Sequence, residues 1–279
     1  MTRVTRLPVG EARYNDADMT RTETDFLDQL LAVAQDGAYL AGCRTLAYFN
    51  TGVVPDIKSD LSPVTIADRE AEQVLRARIR QSFADHAILG EEEGEDAATE
   101  GAAVRWIVDP IDGTKAFVTG VPLYGVLVGV EVEGVASVGV IYIPATGDMI
   151  AARTGGGATW NGRPCRVSDV SDLKNALVVT SSIRRCQGRS DAFENLAKRT
   201  RLQRTWGDAF GYALVATGRA EMMLDPAMKP WDCAPMLPIL TEAGGRFSDW
   251  RGSVTIHGAD AFGTNGALYE EVLAILREG

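Results

Sequence analysis

From Val104 to Arg153 the chain is built almost wholly of strand formers. The runs WIVDP, LYGVLVGVEVEG, VASVGVIYIP and GDMIAAR are short, rich in β-branched and aromatic residues, and separated by Gly, Pro and acidic turns. Side chains of that kind suit a pleated surface, and turn formers at such close intervals connect neighbouring strands as hairpins. The segment predicts a meander of antiparallel strands.

The flanks follow other periods. Phe26, Leu27, Leu30, Leu31, Ala34 and Ala38 recur at i, i+3 and i+4, which predicts an amphipathic helix from Thr24 to near Gly42 or soon after. A second helix is expected from about Asp68 to Phe83, then a short apolar strand at Ala87–Gly90. After Gly155 the pattern alternates: a strand at ALVVTSS, a helix at DAFENLAKRT, a strand near RLQRTW, a helix at AFGYALVATG, a strand at AEMMLD and one helix from Trp231 to Ala243. That alternation is an α/β pattern. Three parts result: a loose, aperiodic extension over residues 1–22, an α+β half over 23–156 and an α/β half over 157–279. Gly155–Gly157 reads as a hairpin or interlobe turn.

The 279 residues can bury a sizeable core without cross-links, and a 46% hydrophobic, 24% charged composition is ordinary for a soluble protein. A net charge of -10 argues against a nucleic-acid backbone as partner, which needs a positive footprint. An anionic ligand would need local help, such as a divalent cation held by carboxylates. No apolar run approaches a membrane span, and the first residues lack an apolar leader, so a cytoplasmic protein is expected. The cysteines Cys43, Cys165, Cys186 and Cys233 are scattered, and only two histidines, His86 and His257, are present. Zinc sites, disulfide frameworks and Ser-His-Asp or Cys-His arrays are therefore not suggested. Neither a P-loop nor a dinucleotide-binding glycine loop is found.

The most informative segment is VDPIDGTKAF, Val108–Phe117, where a strand runs straight into Asp109 and Asp112 on either side of Pro110. Two carboxylates on one tight turn repel unless a cation lies between them. Gly113 would let the chain turn sharply, so that the next amides open a helix toward the same space. Asp, Pro and Gly are also turn formers, so this segment by itself reads equally as a surface loop. Three neighbours shift the balance: Glu91, Glu92 and Glu93 after the strand at Ala87–Gly90, Thr65 with Asp68 at the start of the second helix, and Asp232 after Trp231. Each has a plainer reading, as a solvated acidic run or a helix cap. Oxygen-only donors suit a hard cation, Mg²⁺ first and then Mn²⁺ or Ca²⁺.

The motifs GEE at Gly90–Glu92, DPIDGT at Asp109–Thr114 and WD at Trp231–Asp232 stand in the order and approximate spacing of the inositol monophosphatase superfamily, which the chain resembles from about Lys58 to Gly245. The resemblance implies a layered α/β/α/β/α sugar-phosphatase fold and a Mg²⁺-dependent phosphatase acting on a small phosphate ester. It implies two or three Mg²⁺ ions, with Mn²⁺ as a substitute. Glu91, Asp109 and the Ile111 carbonyl would hold one; Asp109, Asp112 and Asp232 would hold the second. Asp68 and Thr114 would orient the attacking water, Glu92 would support the metals, and the Gly113 and Thr114 amides would cradle the phosphate. Relatives are commonly homodimers.

Within the superfamily, the stretch from Asp60 to Asp68, Lys115 after Gly-Thr, the GVPLYG segment and the EAGGRFSDW ending look most like bacterial histidinol-phosphate phosphatases. Ala116, where inositol monophosphatases usually carry Asn, counts against inositol phosphate. Gly207, Asp208, Ala209 and Asp225 fall where the family contacts the organic part of its substrate, and Asp208 and Asp225 would suit an ammonium group. Inositol 1-phosphate or another polyol phosphate, 3'-phosphoadenosine 5'-phosphate, and a non-catalytic metal-binding regulator remain as alternatives.

Overall fold

The computed structural model describes residues 21–59, 61–96 and 103–278. The expected loose extension lies outside the described residues except at its end, because α1 begins at Arg21. The first half runs through α1 (Arg21–Leu46), a hairpin of β1 (Asp56–Ile57) and β2 (Pro63–Val64), α2 (Ile66–Ser82), β3 (Ala87–Gly90), β4 (Gly94–Glu95), β5 (Val104–Asp112) and the short α3 (Thr114–Val118). The meander follows as β6 (Gly125–Val132), β7 (Val135–Ile143), β8 (Asp148–Arg153), β9 (Ala158–Trp160) and β10 (Arg163–Pro164). One sheet results, in the order β10-β9-β8-β7-β6-β5-β3-β4, antiparallel except where β3 runs parallel to β5. The hairpin β9–β10 is therefore part of the first sheet, although the sequence division at residue 156 assigns it to the second half.

The remainder comprises β11 (Leu177–Thr180), α4 (Ile183–Arg189), α5 (Ala192–Arg199), β12 (Leu202–Arg204), α6 (Asp208–Ala216), β13 (Met222–Asp225), α7 (Pro230–Cys233), α8 (Met236–Glu242), β14 (Arg246–Ser248), β15 (Ala261–Thr264) and α9 (Tyr269–Glu278). These strands form a second sheet, β12-β11-β13-β15-β14, parallel on the β12-β11-β13 side and antiparallel beyond it. Alternation along each strand then sets the layers. Trp106, Val108, Val126, Val128 and Val130 face α1 and α2, whereas Ile107, Leu127 and Ile141 face α6 and α8, whose far side packs on Val179, Met223 and Phe247 of the second sheet. Val178, Met222, Leu224 and Phe262 face α5 and α9. Five layers result, the α/β/α/β/α order that the family resemblance implies.

The first helix ends at Leu46, soon after Gly42, and passes that glycine at a contact point: a Cβ there would lie 2.4 Å from the Tyr142 ring. Two local departures have physical causes. The expected helix from Trp231 to Ala243 is two helices, broken at Pro235, which has no N–H to donate. That junction sits on the first sheet over the cross-strand pair Gly129–Gly139; a Cβ at Gly129 would come within 2.4 Å of Ala234 Cβ, and one at Gly139 within 2.3 Å of Pro235 O. The close approach carries Asp232 from the second half to the rim of the first sheet. Beyond Ala243, where the pattern assigns no element, β14, β15 and α9 complete the second sheet and its outer layer. Gly155–Gly157 is a turn between β8 and β9, held by α8 through Glu242, which accepts from the amides of Gly155 (2.8 Å) and Gly157 (2.7 Å).

Candidate active site

The site starts at the end of β5. Pairing with β6 slips between Asp109 and Asp112, a bulge that takes up Pro110 and turns both carboxylates out of the ladder. Asp109 is 1% exposed and accepts a hydrogen bond from the Ile111 amide at 2.9 Å. Gly113 then takes a left-handed φ of 86°, strained for any side chain, and hands the chain to α3. Thr114 at the head of α3 directs its hydroxyl toward the Ile111 carbonyl (3.1 Å) and Asp68 Oδ1 (3.4 Å).

Asp68 arrives on α2 through a capping box. Its Oδ2 accepts from the amide (2.7 Å) and the hydroxyl (2.6 Å) of Thr65, while Thr65 Oγ1 accepts from the Ala67 amide at 3.0 Å. The cap reading and the functional reading hold together: the cap uses one oxygen and leaves Oδ1 toward Thr114. Glu91 and Glu92 follow β3 and are bridged by one ammonium, Lys58 Nζ, at 2.8 and 2.7 Å. Burial pushes the Glu92 carboxyl up to about 7, with Lys58 opposing and Glu91 adding to the rise.

Asp232 sits in the single turn of α7, its Oδ2 accepting from the Lys229 amide at 2.8 Å. Carboxylate oxygens of Asp109, Asp112 and Asp232 all lie within 4.8 Å of one another. Asp112 is bonded by the Ala209 amide at the start of α6. Burial, then the neighbouring carboxylates, raise Asp109 and Asp112 well above the ordinary aspartate range; burial chiefly brings Asp232 up to about 7. Among the described residues no lysine or arginine forms an ion pair with any of the three. An all-oxygen cluster with that much uncompensated charge fits a hard divalent cation. Glu91 raises Asp109 both by its charge and by a side-chain hydrogen bond, while its Oε1 accepts from Lys58.

A second pair of acids adjoins the cluster. Asp225, buried at the end of β13, accepts from Ser181 Oγ at 2.6 Å, and after burial the charge of Asp208 raises it most. Asp208 has a left-handed φ of 53°, a strain of about 1–3 kcal/mol for a residue with a side chain. That backbone presents the Ala209 amide to Asp112 while the Asp208 carboxylate lies against Gly113; Lys115 and Arg185 oppose its rise. Gly207 leaves no room for a side chain, since a Cβ would fall 2.3 Å from the Ser181 backbone. The structure thus gathers Asp68, Glu91, Glu92, Asp109, Ile111, Asp112, Gly113, Thr114, Gly207, Asp208, Ala209, Asp225 and Asp232 around one cleft. The Ala209 amide is taken by Asp112.

Sequence reasoning passes over Lys58, Ser181 and Glu72. Glu72 stands one turn after Asp68, on the same face of α2, a spacing that could have flagged it. Lys58 and Ser181 have no comparable signal. The histidines are structural or exposed, as expected: His86 stacks on Phe83 and accepts from Trp106 Nε1 at 3.0 Å, while His257 lies at the surface. All four cysteines are free. Among the described residues, no helix is long and apolar enough to cross a membrane.

The same overall fold is found in a solved relative. The extragenic suppressor protein SuhB from Bartonella henselae superposes with a TM-score of 0.84 at 27% identity, covering 90% of this chain and 99% of that one. A histidinol-phosphatase of Chlorobaculum parvum is 40% identical over 253 residues, 89% of this chain and 97% of that protein. A histidinol-phosphatase of Mycobacterium tuberculosis is 38% identical over 231 residues, 80% and 88% of the two. Residues 27–279 match the inositol monophosphatase family. The chain belongs to that family of phosphoric monoester hydrolases.

Proposed function

We propose that this phosphatase hydrolyses L-histidinol phosphate to L-histidinol at a Mg²⁺-loaded carboxylate site, with Mn²⁺ able to replace Mg²⁺. The observation that carries the reading is the adjacency of two acidic groups: Asp109, Asp112 and Asp232, which form no ion pair among the described residues, and Asp208 with Asp225, whose charges act on Asp112. The first suits metal-assisted phosphate chemistry, and the second suits an ammonium group on the organic half of the ester. The histidinol-phosphatases at 40% and 38% identity support that choice.

Glu91, Asp109, the Ile111 carbonyl, Asp112 and Asp232 would hold two ions, with Glu92 supporting this set or a third ion. Bound Mg²⁺ supplies Lewis acidity, lowering the pKa of the attacking water and neutralising charge on the phosphate and the leaving oxygen. Thr114, donating its hydroxyl proton to Asp68, keeps a lone pair to accept a hydrogen bond from that water and aim it at phosphorus. The Gly113 and Thr114 amides face the phosphate oxygens, while Asp208 and Asp225 fix the amine. The water forms the new P–O bond, the ester P–O bond breaks, and the proton that the water gives up is taken up by the departing alkoxide, with no covalent intermediate on the protein. The same reading takes the enzyme as a cytoplasmic homodimer.

The test is kcat/KM, measured side by side for L-histidinol phosphate, inositol 1-phosphate and 3'-phosphoadenosine 5'-phosphate with and without Mg²⁺. Histidinol phosphate should lead, and only with metal present. Preference for either competitor overturns the substrate, and activity untouched by chelation overturns the metal.

A further inference from the structure

We propose that Glu72 is a positioning residue for the metal site, acting through the backbone of the Glu91–Glu93 turn. Three consecutive glutamates repel one another and favour a splayed, solvated loop. Here Glu91 and Glu92 are folded inward while Glu93 stays exposed, and one carboxylate from α2 bonds the turn that carries them.

Glu72 is fully buried, at 0% exposure, a costly place for a carboxylate unless it is bonded on every side. Its oxygens accept from the Glu92 amide (2.8 Å), the Glu93 amide (3.0 Å) and Arg76 Nε (2.9 Å). Arg76 in turn donates to Asp96 Oδ1 at 2.7 Å and to the Gly94 carbonyl. One helix face therefore grips the turn at both ends, and the same helix presents Asp68 one turn earlier. Charge-assisted bonds to two successive amides fix where the Glu91 and Glu92 side chains leave the backbone.

Gly90 belongs to the same device. A Cβ there would lie 2.0 Å from Glu72 Oε1 and 2.4 Å from its Cδ. The glycine of Gly-Glu-Glu is thus required by the carboxylate pressed against it. Glu72 bonds two backbone amides and the Arg76 guanidinium, so its role is to orient groups that bind. Loss of such an orienting partner typically weakens metal affinity by about 10–100-fold.

This inference rests on the reading of the carboxylate cluster as a metal site, and the experiment separates the two. Mn²⁺ is titrated into metal-free protein and the free ion followed by its electron paramagnetic resonance signal, for wild type, Glu72→Gln and Glu72→Asp. Folding of each is checked by circular dichroism. Gln points an amide N–H at a backbone N–H; Asp keeps the charge for Arg76 but is one methylene too short to serve both amides. Both variants should raise the Mn²⁺ Kd by about 10–100-fold. Phosphate release at saturating Mg²⁺ should recover most of the wild-type kcat, since the reacting groups are unchanged. Gly90→Ala should reproduce the weakening, with an effect less than additive on a Glu72→Ala background where the space is vacated. A folded Glu72→Gln or Glu72→Asp protein with wild-type Mn²⁺ affinity overturns the positioning role alone. Wild-type protein that binds no Mn²⁺ overturns the metal site and the inference with it.

Discussion

The two acidic groups at the cleft differ in what compensates them. Each carboxylate of the first group has one backbone amide and no ion pair: Asp109 has Ile111, Asp112 has Ala209 and Asp232 has Lys229. In the second group, Asp225 has the neutral Ser181 hydroxyl, and the charges of Lys115 and Arg185 act on Asp208. In the first group Lys229 acts on Asp232, and no cation is among the causes of the rise at Asp109 or Asp112. On the proposed reading, three converging anions so little offset call for a divalent ion, whereas the second pair calls for a single positive charge on a ligand, which would separate the place for chemistry from the place for recognition.

The hardest blow to that division is a change within the first group. Asp109→Asn or Asp232→Asn removes a metal ligand while leaving the backbone bonds that shape the turn. Turnover should fall by roughly three orders of magnitude or more, the effect of losing several kcal/mol of Lewis-acid stabilisation. The fold should survive, because each buried anion is a burden on the metal-free protein. Near-normal Mg²⁺-dependent phosphate release by either purified variant would remove the first group from the chemistry.

These two residues also mark how far the sequence could be read. Asp109 and Asp112 are legible because a strand, a proline and a glycine crowd two like charges into four positions, and because Glu91, Asp68 and Asp232 tip that turn from an equally fitting surface loop toward a metal site. Asp232 is legible only through the family motif, because its arrival depends on the α7–α8 junction settling over Gly129 and Gly139, a contact between residues about a hundred positions apart. Lys58 and Ser181 are illegible for the same reason: their partners Glu91, Glu92 and Asp225 are distant in sequence. The meander was read from its own turn residues, and the split at Pro235 was not, although proline announces it. The last strands, β14 and β15, are too short for a periodic signal, and their hydrogen bonds come from the rest of the second sheet.

A more selective cut falls on the second group. Asp225→Asn keeps the hydrogen bond from Ser181 but deletes the charge offered to an ammonium. A charge-assisted hydrogen bond contributes about 1.5–3 kcal/mol, so kcat/KM for histidinol phosphate should drop by roughly 10–150-fold. The rate on β-glycerophosphate, which carries no amine, should change by only a few-fold. Equal losses on both substrates would merge the two groups into one.

The smallest effect sharpens the comparison through pH. In the metal-free fold, burial brings both Glu92 and Asp232 up to about 7, above the ordinary carboxyl range they keep when unfolded. The folded chain therefore binds more protons than the unfolded one between about pH 4 and 7, and metal-free stability falls as pH rises across that window. A cation must displace those protons, so its affinity climbs over the same interval. Each proton displaced is worth up to about tenfold in affinity per pH unit. The rise in Tm on adding Mg²⁺ should accordingly be small at pH 5.5 and full at pH 8. An equal rise at both values would mean that the cation does not bind where the crowded carboxylates are, and the contrast between the two groups would lose its physical basis.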